Sequence, residues 1–67
     1  MNVLENFRKN LKLMLKEKEI SQSELARKTK IGKSTITHWL NDGIEPTLTN
    51  IYKLTEALDC TFEELVD

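Results

Sequence analysis

Cysteine, proline and histidine each occur once in 67 residues, glycine twice, and aromatic side chains make up 6%. A lone Cys60 excludes an internal disulfide and, without clustered histidines, supplies no zinc ligand set. It suits a reducing, cytoplasmic setting. No apolar run approaches the roughly 20 residues that span a bilayer, and nothing reads as a signal peptide. There is no Gly-rich phosphate loop, no paired acid–base constellation and no Ser-His-Asp or Cys-His arrangement, so neither an enzyme, a cofactor nor a metal is expected. His38 is read as lacking a second histidine or an acid near it in sequence, and Cys60 as buried rather than reactive. Strand-like alternation is absent as well.

What the chain does contain is charge, unevenly placed. Its formal net charge is −1, but residues 1–41 hold nine Lys or Arg against four Glu, a net +5. Residues 42–67 hold one Lys against seven acids, a net −6. Such asymmetry fits one nucleic-acid face and an acidic back. Mutual attraction of the two halves within the fold is the alternative.

The apolar spacing predicts five helices and one domain over residues 1–67, near the lower size limit for an unstapled core. Val3, Leu4, Phe7, Leu11, Met14 and Leu15 recur at helical spacing through Lys18, with Leu13 off the stripe. The basic residues of this helix read equally as a solvated face and as a general attraction for phosphate. Ser21 and Glu24 form a capping-box pattern opening a second helix, flanked by Ile20 and Leu25, that ends by Thr29 or Lys30. Gly32 caps a third. Asn41 to Pro46 is a loop with an Asp-Gly turn. Thr47 caps a fourth helix with Leu48, Ile51, Leu54 and Leu58 inward, and Thr61 with Glu64 opens a short fifth carrying Phe62, Leu65 and Val66.

The third helix is the distinctive one. Ile36, Trp39 and Leu40 fall on one face, while Ser34, Thr37, His38 and Asn41 line the opposite face at i, i+3, i+4 and i+7. One core face and one face of small hydrogen-bonding side chains suit contact with the major groove of DNA. The helix N-terminus, with Lys33 in its first turn, suits a phosphate or a base acceptor.

These residues carry a family resemblance. Ser21-Gln22 with Glu24-Leu25-Ala26, then Ser34-Thr35-Ile36-Thr37, Trp39, Asn41, Pro46, and Leu54 with Leu58 resemble the lambda-repressor-like helix-turn-helix family of phage repressors, Cro proteins and XRE-type relatives. The resemblance implies an all-α, compact five-helix domain whose second and third helices form the helix-turn-helix. It also implies a sequence-specific regulator of transcription, such as a repressor, acting on double-stranded DNA as a homodimer with half-sites about 34 Å apart. Carried over by position, Lys33, Ser34, Thr37 and His38 would reach base edges, and Gln22, Thr35 and Asn41, with N–H groups of the 41–43 loop, would hold phosphates. The alternatives are a phosphate contact for Lys33 and plain exposed surface for Ser34, Thr37 and His38. Ile44, Phe62 and Val66 are the dimer-surface residues, with closure of the monomer core as the alternative for Phe62 and Val66.

Three departures from the family stand out. Lys30 occupies a turn position where relatives often have glycine, so a left-handed backbone there would cost about 1 kcal/mol. Asp42 precedes Gly43 where glycine usually follows Asn41, and an acid there repels phosphate. Leu15 and Leu40 replace the family's buried Arg–Glu pair and are expected to meet in the core, an exchange often neutral or stabilising. A second function class remains open: a protein-interaction module of antirepressor or antitoxin type, with the acidic stretch from Glu56 to Asp67 as its contact surface.

Overall fold

The computed structural model describes residues 2–67, and those residues form five helices and no strand. They are α1 (Val3–Glu17), α2 (Gln22–Thr29), α3 (Lys33–Asn41), α4 (Leu48–Leu58) and α5 (Phe62–Val66). The all-α expectation holds, with α1 ending one residue earlier than its spacing suggested.

Side-chain caps start four of the five helices. Asn2, Ser21, Thr47 and Thr61 each accept a hydrogen bond from the backbone N–H three residues on, satisfying a donor the helix itself leaves free. Thr61 and Glu64 complete a reciprocal box, Thr61 N–H donating to Glu64 Oε1 at 2.9 Å. At Ser21 only half of the expected box forms, since Glu24 does not return a bond to the cap. Gly32 gives α3 no side-chain cap at all. Lys30 does adopt the left-handed backbone (φ 60°), and Glu19 and Asp59 do so at the ends of α1 and α4. The α2–α3 turn is locked by Thr29, a buried residue whose Oγ1 donates to Leu25 O and accepts from Ile31 N–H.

One core unites all five helices: Phe7, Leu11 and Leu15 from α1, Leu25 from α2, Ile36, Trp39 and Leu40 from α3, Ile51, Leu54 and Leu58 from α4, Leu65 and Val66 from α5, and Ile31 from the turn. Trp39 is 1% exposed and meets Phe7 edge-to-face, with ring centroids 6.0 Å apart. α1 packs on α3 and α5, and Asn10 Nδ2 donates to Leu65 O at 2.9 Å across the latter contact. Leu15 and Leu40 are both buried and border the same cleft, as expected of matched apolar replacements. The polar link between α1 and α3 survives in another form: Arg8 donates through Nε and Nη2 to the Leu40 carbonyl at 3.3 and 3.0 Å. That places a cation at the C-terminal end of α3, where the helix dipole favours it.

Two residues read as inward are not. Leu48 is 78% exposed and Val3 is 56% exposed. Both lie in the first turn of their helices at the margin of the apolar arc, on the rim of a surface groove rather than in the core. Leu13, off the stripe of α1, is half-exposed.

Candidate nucleic-acid interface

The local sequence of α3 divides it lengthwise. Ile36, Trp39 and Leu40 are buried, and Lys33, Ser34, His38 and Asn41 on the other side are exposed, with Thr35 and Thr37 half-buried at the border. No other part of the described chain covers that outward side. Because Gly32 lacks a side chain, the first N–H groups of α3 have no side-chain acceptor, and they open onto the same surface.

Two internal contacts fix the chemistry of this face. Thr37 Oγ1 lies 3.0 Å from Gln22 Oε1 and 3.0 Å from Lys33 O. A hydroxyl has one proton, so it serves these two acceptors in turn and leaves only lone pairs and the methyl to face outward. In this arrangement the Thr37 proton is engaged within the fold, and its lone pairs and methyl are what it turns outward. The same bond turns the Gln22 amide so that its NH2 remains as a free donor, and it joins the start of α2 to the middle of α3.

His38 Nδ1 lies 2.5 Å from Asp42 Oδ2. The reading of His38 as having no acid nearby is thus corrected: Asp42, one helical turn on, is its partner, and i, i+4 spacing was the signal that could have found it. A carboxylate holds the proton on Nδ1. Nε2 then points outward as an acceptor in the neutral ring, suited to the amino groups of adenine or cytosine, and becomes a donor suited to guanine only in the imidazolium form.

In the 41–43 loop, the Asp42 N–H donates to His38 O at 2.9 Å, so it is committed to ending the helix. Gly43, at φ 69°, carries the remaining loop N–H without an acceptor among the described residues. Gln22 and Asn41 border one cleft together with Lys12, Lys16, Leu15 and Leu40. The phosphate-side residues expected from α2 and α3 are thus neighbours in space, while Thr35 lies toward the opposite end of α3.

Of the residues expected at a dimer surface, Ile44 and Phe62 are exposed. Val66 is 9% exposed and closes the core, reaching only the floor of a groove edged by Val3, Pro46, Leu48 and Phe62. Burial, then the charge of Glu64, pushes the Cys60 thiol up from its ordinary value, which disfavours the nucleophilic thiolate. No group of metal-ligating side chains is assembled among the described residues, and no described helix is long and apolar enough to cross a membrane.

A family model described as helix-turn-helix matches residues 11–65, most of the chain. No curated protein and no solved structure gives a significant match.

Proposed function

From membership of the helix-turn-helix family of lambda-repressor, Cro and XRE type, a DNA-binding family to which this chain belongs, we propose that the protein is a sequence-specific regulator of transcription that reads double-stranded DNA with α3 in the major groove. The observation that carries this reading is the split of α3 into a core face anchored by Trp39 and a polar face nothing covers.

Lys33 and Ser34, at the open N-terminus of α3, contact base edges with their side chains, and Thr37 offers its methyl to a thymine methyl. His38 presents Nε2. Gln22, through its free NH2, binds a phosphate while its oxygen stays on Thr37. Thr35 and Asn41 hold phosphates at either end of α3, with the Gly43 N–H beside Asn41. Phosphate contacts set the register of the helix, and the base contacts specify.

A monomer supplies one reading helix, so the functional unit in this reading is a symmetric dimer on two half-sites about 34 Å apart. Exposed Ile44, Leu48, Tyr52 and Phe62 supply an apolar surface for it. A phage- or bacterial-type repressor in a cytoplasmic setting is the form of regulator that the resemblance implies.

Selection of bound duplexes from a random pool, followed by a salt titration on the winner, tests the reading. A two-fold symmetric consensus, with affinity falling by roughly 0.9 log units per phosphate contact per log unit of salt, is the expected result. Gln22→Ala should weaken all duplexes about equally. Absence of binding to any duplex at low salt would instead favour a protein-interaction module.

A further inference from the structure

Away from α3, four cations gather on one side of α1. Arg8, Lys9, Lys12 and Lys16 line one open trough with half-exposed Leu13. At 1.5 Å per residue, Lys9 and Lys16 stand about 10 Å apart along the helix axis. The stripe does not end at α1, because Lys12 and Lys16 also border the cleft that holds Gln22 and Asn41.

No ion pair among the described residues engages this stripe. Among the described residues the one ion pair is His38–Asp42, so no carboxylate neutralises Lys9, Lys12 or Lys16. Arg8, Lys12 and Lys16 follow one another at i, i+4 spacing, an arrangement of like charges that destabilises a helix standing alone. Arg8 is held in place by the Leu40 carbonyl, which fixes its cation beside the end of α3 without cancelling it. A row of cations outside any ion pair, continuous with two phosphate-side residues, suits a regularly spaced polyanion.

We propose that the α1 stripe is a second phosphate track, which carries the DNA backbone outward from the half-site held by α2 and α3. Lys12 and Lys16 take the phosphates next to those at Gln22 and Asn41, and Lys9 extends the path. These contacts are blind to sequence and lengthen the footprint. The inference rests on the DNA-binding reading of α3 and adds residues outside the helix-turn-helix to it.

The test measures binding of the whole chain to its selected duplex over a salt series, for the unaltered protein, the double variant Lys12→Gln/Lys16→Gln, and Lys53→Gln on α4 as a charge control. Loss of two contacts per protomer should lower the slope of log affinity against log salt by about 1.8 for each half-site occupied, and affinity at 0.1 M salt by roughly 10- to 100-fold per half-site, with base preference unchanged. Lys53→Gln should follow the unaltered protein. Trimming the duplex flush with its half-sites should remove the difference between the double variant and the unaltered protein. Glutamine keeps helix propensity and relieves the i, i+4 repulsion, so the variant is expected to melt no lower. An undiminished slope in the double variant, with the unaltered protein still binding, overturns the phosphate track and leaves the α3 reading intact. A difference that persists on trimmed duplex overturns the outward path. Failure of the unaltered protein to bind any duplex overturns both.

Discussion

Two faces of this molecule are left uncovered, and their chemistry is opposite. The outward side of α3 carries Lys33, Ser34, Thr37, His38 and Asn41, two of them already held by internal bonds. The side formed by the loop before α4 and the starts of α4 and α5 carries Ile44, Leu48, Tyr52 and Phe62. Water satisfies the first face, so a partner gains there only by matching donors and acceptors. On the second, any fitted apolar surface gains about 25 cal/mol per Å² removed from water. The contrast fits the division of labour in the proposed reading: the α3 face would discriminate between partners, and the α4–α5 face would associate.

The most drastic way to break that contrast is to remove what holds α3 in place. Trp39→Ala should cost ~3–5 kcal/mol of stability, measured by urea unfolding, and abolish both faces together because the core is shared. Phe62→Lys should leave the monomer folded and weaken self-association by ~2 kcal/mol or more, read by sedimentation equilibrium. An unaltered monomer–dimer equilibrium would move the association surface elsewhere. Lys33→Ala and His38→Ala should each cost ~1–3 kcal/mol at one or two bases, with unfolding midpoints unchanged. If both weaken every duplex uniformly, they grip the backbone instead of reading. At the small end, Lys30→Gly relieves a left-handed lysine and should stabilise by ~0.5–1 kcal/mol without altering base preference.

The inward half of this molecule was legible because it obeys local rules. Ile36 and Trp39 declare a helix face by spacing alone, and Thr61 with Glu64 declares a helix start that the structure completes. The same rules misjudged Leu48, since periodicity says which side a residue lies on and not whether a neighbour reaches that far along the helix. They also missed contacts between distant positions. Arg8 and the Leu40 carbonyl are 32 residues apart, and no local pattern announces that a surface arginine will hold a helix end. Asn10 to Leu65 is of the same kind. On the α3 face, residue types suggested the chemistry, but the direction of each proton was set by partners. Gln22 Oε1 and Lys33 O share the hydroxyl proton of Thr37, and Asp42 orients His38. The second of these was within reach of a one-turn spacing argument, whereas the first needed the crossing of α2 over α3.

The three left-handed residues at Glu19, Lys30 and Asp59 have a consequence beyond their own turns. Glycine would fit each position with less strain, yet it would also widen the range of shapes open to the denatured chain. A sequence with two glycines therefore accepts some tension at its corners in exchange for having less disorder to suppress when it collapses. The stiffer denatured chain offsets part of that tension, so relieving a corner is expected to gain less than the strain it removes.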